Sequence, residues 1–192
     1  RGFDRFFGTI AGAGSFYTPA TLTLDNKPIT QFPKDFYYTT EIGKHATKFI
    51  GEHMVEKKEQ PFFLYVPFTS PHWPLHALEK DIKKYRGKYL KGWDKLRAER
   101  HARQLKMGLV DQRWPISDRH NKAPAWDSLD EAKKQEMDER MAIYAAMIDS
   151  MDQSIGRILV ALDEYGQRDN TLILFLADNG GCDESGLFGF ER

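Results

Sequence analysis

The sequence predicts an α/β fold in which buried parallel strands are covered by helices. Two runs, Phe62-Phe-Leu-Tyr-Val66 and Thr171-Leu-Ile-Leu-Phe-Leu176, are apolar or β-branched and too short for helices. Continuous apolar runs of that length read as strands buried on both faces, which occur mostly in parallel sheets. Two longer stretches, 41–54 and 129–165, carry apolar residues at helical spacing. The second leads through Gly166 and Asp169-Asn170 into the run at 171, the helix–turn–strand order of an α/β unit.

Composition narrows the function classes. At 192 residues the chain can hold one domain with a sizeable core, and 41% hydrophobic with 29% charged residues is ordinary for a globular protein. Lys+Arg and Asp+Glu balance at 28 each, so net charge argues for no polyanionic partner. A single cysteine, Cys182, excludes an internal disulfide and any cysteine-built zinc site. No apolar run approaches the roughly 18 residues of a membrane span. The chain opens on Arg1-Gly-Phe-Asp, with neither an initiator methionine nor a signal-peptide pattern, and is expected to be a piece of something longer.

Taken in order, residues 1–33 mix aromatics with Gly and Pro and read as loop and turn, with Thr21-Leu-Thr-Leu24 a short strand entering an Asp25-Asn26 turn. Ile42, Ala46, Phe49, Ile50 and Met54 share one face of the helix at 41–54, with Thr39 or Thr40 as its cap. Gly43-Lys44-His45 within it looks catalytic, but neighbouring helical positions point apart, so a helix surface is the better reading. Beyond the strand at 62–66 comes Ser70-Pro-His-Trp-Pro-Leu-His76. Its two prolines bar regular structure and leave His72 on a stiffened loop past a sheet edge. A histidine there can hydrogen-bond an anionic ligand or protonate a leaving group, whereas the structural alternative packs it against Trp73.

From Lys80 to Lys106 eleven Lys/Arg face three acids, interleaved with Tyr85, Tyr89 and Trp93. No groove-reading motif accompanies them, so a solvated helix with Trp93 and Leu96 turned inward is expected rather than a nucleic-acid patch. Residues 107–127 read as a surface loop. Ser128-Leu-Asp-Glu131 is a capping-box pattern that starts the long helix. There Met137, Met141, Tyr144, Ile148, Met151, Ile155, Ile158 and Leu162 recur at spacings of four and three, a face that would pack on the sheet. After the last strand come Asp178, Asn179 and two glycines. Carboxylate and amide oxygens at a strand's carboxyl end suit a hard divalent cation, yet Asp-Asn-Gly is also turn chemistry, and residue types alone point to the turn.

Several segments together resemble the sulfatase family, and its arylsulfatase branch in particular. They are Arg1-Gly-Phe-Asp-Arg-Phe-Phe-Gly-Thr-Ile-Ala-Gly-Ala-Gly-Ser15, Pro61–His76, Tyr89–Arg97 with Gly92-Trp93-Asp94, Tyr144–Arg157, and Asp169–Gly180. They stand in the family's order over nearly the whole chain. The resemblance implies an alkaline-phosphatase-like α/β fold with a mixed, mostly parallel sheet flanked by helices. It implies hydrolysis of sulfate esters at a Ca2+ site, with Asp178 and Asn179 as two metal ligands. His72 would hydrogen-bond the sulfate or the ester oxygen, while Trp73, Pro74 and His76 line the pocket.

In that family the nucleophile is a formylglycine made within Cys/Ser-x-Pro-x-Arg. Cys182 is followed by Asp-Glu-Ser and does not fit. The family's opening aspartate pair and its lysine–histidine pair are also missing, and Lys44-His45 stands too late to be the latter. Residues 1–192 are therefore expected to form the central portion of a catalytic domain, inactive alone, with a small-molecule or carbohydrate sulfate ester as substrate. Family habit adds a periplasmic, lysosomal or secreted setting. Two alternatives stay open: a phosphodiesterase or phosphonate hydrolase of the same superfamily, or a non-catalytic scaffold binding an anion or partner.

Overall fold

The structure is a computed structural model that describes residues 2–12, 14–180 and 188. Its only sheet among those residues is small and antiparallel, built from β1 (Phe7–Thr9), β2 (Leu22–Leu24) and β3 (Lys27–Pro28) in that order. β2 enters the turn expected at Asp25-Asn26, and β3 follows it to complete a hairpin with Leu24 opposite Lys27. Asp25 takes the left-handed conformation there (φ +55°), which Asp tolerates better than most residues. Its carboxylate accepts from the Phe6 N–H at 3.0 Å and from the Arg5 guanidinium at 3.3 Å, so one side chain ties the turn to β1.

Two helices form the body. α1 (Tyr38–Glu56) and α4 (Glu131–Glu164) pack along each other, Gly43 against Ser154 and Gly51 against Tyr165. Ile42, Ala46, Ile50 and Met54 of α1 are buried, as the apolar spacing predicts. Ile42 joins Phe16, Leu22, Phe36, Tyr37, Ala142, Ala146 and Met147 in one cluster, and Ile50 and Met54 join Leu162 with Phe62 and Leu64 in a second. Lys44 pairs with Glu41 at 2.6 Å, and His45 stacks on Phe7 with centroids 3.6 Å apart, so Gly43-Lys44-His45 is helix structure.

Three expectations differ from what the described residues show. Neither Phe62–Val66 nor Thr171–Leu176 belongs to a ladder among the described residues, so no parallel sheet is present there. A strand needs a hydrogen-bonding neighbour, and none pairs with either run among the described residues. The first run still alternates, with Phe62 and Leu64 packed on Ile50, Met54 and Leu162 while Phe63 is 78% exposed. The second is bare, Leu172 being 85% exposed.

The long helix buries the expected face only in part: Met137 and Leu162 are buried and Met151, Ile155 and Ile158 half-buried, whereas Met141, Tyr144 and Ile148 are exposed. In the middle of the helix Ala142, Ala146, Ser150 and Ser154 are buried instead, at four-residue spacing, where α1 approaches closely. Caps differ too. Thr39 sits inside the first turn of α1 with Tyr37 before it, its hydroxyl turned into the core. α4 is capped by Asp130, which accepts from the Lys133 N–H at 2.7 Å, while Ser128 donates to Ala125 O in a 3-10 turn (Trp126–Ser128).

Between the two long helices lie the short α2 (Glu79–Ile82) and α3 (Trp93–Lys106). α3 has no fully buried residue and is held by Trp93, set edge-on to Trp126 with centroids 4.9 Å apart. Gly92 precedes it at φ +83°, where any Cβ would collide with the Trp126 ring. Much of the basic charge is locally paired, as in Arg86 with Glu79 and Glu139, and Arg119 with Asp94. No helix among the described residues is long and apolar enough to cross a membrane.

Candidate functional site

The turn that presents His72 is built from both ends. At its start Ser70 is buried, and its Oγ lies 2.6 Å from Thr39 Oγ1. The His72 N–H then donates to Thr69 O at 2.9 Å, closing a turn through Ser70 and Pro71. At its far end Tyr37 OH donates to His76 O at 2.8 Å and Tyr17 OH donates to Ala77 O at 2.6 Å. His76 itself is half-buried between the Phe16 and Tyr17 rings, and its Nδ1 accepts from the Phe16 N–H at 3.3 Å. Burial holds His76 below the ordinary histidine pKa of 6.5, which keeps that acceptor nitrogen unprotonated. Burial likewise pushes the Tyr37 hydroxyl up to about 12, so it remains a donor.

His72 stands apart from this packing. It is exposed, and its Nδ1 donates to Trp73 O at 2.8 Å. That bond fixes the ring orientation, and Nε2 has no hydrogen-bond partner among the described residues. A histidine with one nitrogen committed to a carbonyl offers the other to a ligand, as a donor when the ring is charged. Trp73 and Pro74 are half-buried beside His72.

Asp178 and Asn179 are exposed neighbours after the bare run at 171–176. The Asn179 amide donates to Gly180 O at 2.7 Å, and its Oδ1 has no hydrogen-bond partner among the described residues. Two hard oxygens fit part of a Ca2+ or Mg2+ donor set but fall short of the six to eight oxygens Ca2+ takes. No group of three or more His, Cys, Asp or Glu that could hold a metal occurs among the described residues. No hydrogen bond joins His72 to Asp178 or Asn179 there either. Cys182 lies outside the described residues.

Sequence reasoning missed the residues that hold the His72 turn: Phe16, Tyr17, Tyr37, Thr39 and Ser70. The signal available was the run Phe36-Tyr-Tyr-Thr39, too aromatic for a solvated helix start.

The sulfatase family model matches residues 1–186. The chain belongs to the sulfatase family. An uncharacterized sulfatase of Schizosaccharomyces pombe is 33% identical over 94% of this chain and 35% of its own length. An arylsulfatase of Klebsiella aerogenes is 30% identical over 98% of this chain and 42% of its own. Arylsulfatase J of Mus musculus is 24% identical over 97% of this chain and 24% of its own. The sulfatase chain thus spans between a quarter and two fifths of the length of these curated relatives.

Proposed function

We propose that residues 1–192 are the central portion of the catalytic domain of a sulfuric ester hydrolase, an arylsulfatase-like enzyme acting at a Ca2+ site. The observation that carries this reading is the exposed His72, oriented by Trp73 O and open at Nε2, in a chain of the sulfatase family. Its Nε2 is suited to donate a hydrogen bond to a sulfate oxygen or to the departing ester oxygen, where negative charge grows as the S–O bond breaks. Asp178 and Asn179 would supply two of the metal's oxygen ligands. The bound cation would offset charge on the sulfate oxygens. The nucleophile, a formylglycine by the family resemblance, would come from residues outside this chain.

In the complete domain, 62–66 and 171–176 would become strands of a mostly parallel sheet. Their bare faces support this, since runs as apolar as Leu172-Ile-Leu-Phe-Leu176 are rarely left to solvent.

The test compares the full-length protein and the 192-residue chain on 4-nitrophenyl sulfate with excess Ca2+. Turnover is expected from the first and none from the second, because catalytic groups acting as a unit fail together when members are removed. Turnover by the short chain above a His72→Ala control would place the nucleophile within these residues. Full-length turnover of bis(4-nitrophenyl) phosphate in place of the sulfate would move the assignment to a phosphodiesterase.

A further inference from the structure

We propose that Tyr37 and Thr39, at the start of α1, are positioning residues that clamp the two ends of the His72 turn and so fix where Nε2 meets the sulfate ester. The proposal rests on the role given to His72 above. Ser70 and His76 bracket the turn, and each is fastened to the same stretch of helix. Thr39 Oγ1 lies 2.6 Å from Ser70 Oγ, and Tyr37 OH donates to His76 O at 2.8 Å. Both helix residues are buried, Tyr37 at 1% exposure and Thr39 at 0%. Neither hydrogen-bonds the His72 ring among the described residues; the ring's bond runs to Trp73 O inside the turn.

The clamp is itself backed by α4. Ser154 donates to Thr39 O at 3.2 Å and sits against Gly43, so the first turn of α1 cannot slide without moving the long helix. An exposed side chain on a loop is ordinarily loose. Here the loop backbone is tied at two points to a packed helix pair, the arrangement that pre-sets a reacting group's position. The raised Tyr37 pKa keeps its proton in place for this bond across neutral and mildly alkaline pH.

The experiment is a double-mutant cycle in the full-length protein with 4-nitrophenyl sulfate. Tyr37→Phe keeps the ring and removes the hydroxyl, and Thr39→Val keeps the shape and removes the hydroxyl that meets Ser70. Each is made in the wild-type and His72→Ala backgrounds. With His72 present, each is expected to lower kcat about ten- to hundredfold with KM little changed, the scale on which misplacing a reacting group by about 1 Å acts. Thr39→Ser is expected to restore turnover. In the His72→Ala background neither change is expected to lower turnover further, because there is no ring left to place.

Equal losses in both backgrounds would mark the two residues as general structure and overturn the proposal. So would wild-type kcat in both single variants, or failure of both to fold. If His72→Ala itself turns over like the wild type, the assignment of His72 falls, and the positioning role with it. If His72→Ala is impaired while Tyr37→Phe and Thr39→Val are not, the positioning role alone falls.

Discussion

A Cβ built on Gly43 would lie 2.7 Å from Ser154 Cβ, so the absence of a side chain at one position sets how closely α1 and α4 approach. The single Ser154 hydroxyl proton is shared between Thr39 O at 3.2 Å, across the helix contact, and Ser150 O at 3.0 Å, one turn back on α4. The contact links the helix pair to the turn bearing His72, because Thr39 also meets Ser70.

Gly43→Ala is expected to destabilise the fold, although alanine favours a helix over glycine by about 1 kcal/mol. Overpacking a close helix contact costs about 1–3 kcal/mol, and both Ser154 and the backbone behind it would have to move. Urea unfolding of the variant should therefore give a lower midpoint than the wild type. An unchanged or higher midpoint would show that the helices separate freely and that the close approach is incidental.

Acid is expected to weaken the fold through His76. Its folded pKa lies below the ordinary 6.5, so on acidification the unfolded chain takes up the proton first. Stability falls as pH drops below about 6.5 and rises again as pH climbs back through that window. Above it both states carry the neutral ring, and the contribution vanishes. Thermal midpoints between pH 8 and pH 5 should show a smaller decline for His76→Asn, which keeps an acceptor for the Phe16 N–H without titrating. Parallel pH curves for the two proteins would remove His76 from the account.

Calcium should depend on the pair after the last apolar run. Asp178→Ala in the full-length protein is expected to lose bound Ca2+ and most turnover, since a carboxylate contributes charge that the neighbouring Asn179 amide does not. Equilibrium dialysis with Ca2+ reads the first effect directly. Wild-type metal content in the variant would show that Asp178-Asn179-Gly180 is a turn and nothing more.

How much of this was legible in the sequence depends on what each residue's partner is. Ile42, Ala46, Ile50 and Met54 were readable as a buried face because their neighbours on α4 lie within the chain. The Asp25-Asn26 turn was readable because a tight turn is local chemistry. Leu172–Leu176 were misread as buried because an apolar run announces a need for cover without supplying it. On α4 the large residues at 141, 144 and 148 outweighed Ala142, Ala146, Ser150 and Ser154 in the periodicity, yet close packing against Gly43 selects the small ones. His72 was singled out as a candidate from its prolines and its place after an apolar run. The clamp formed by Tyr37 and Thr39 was not, because the contacts join residues 31 and 39 positions apart and leave no periodic trace.

The role of His72 is tested most directly by kcat/KM for 4-nitrophenyl sulfate in full-length His72→Ala, measured beside its thermal midpoint. Removing one donor to developing negative charge costs on the order of 10²- to 10³-fold in turnover. A loss of that size is expected with little change in the midpoint, since the ring is exposed and its hydrogen bond runs to a backbone carbonyl within its own turn. Wild-type kcat/KM in a folded His72→Ala enzyme would contradict the assignment.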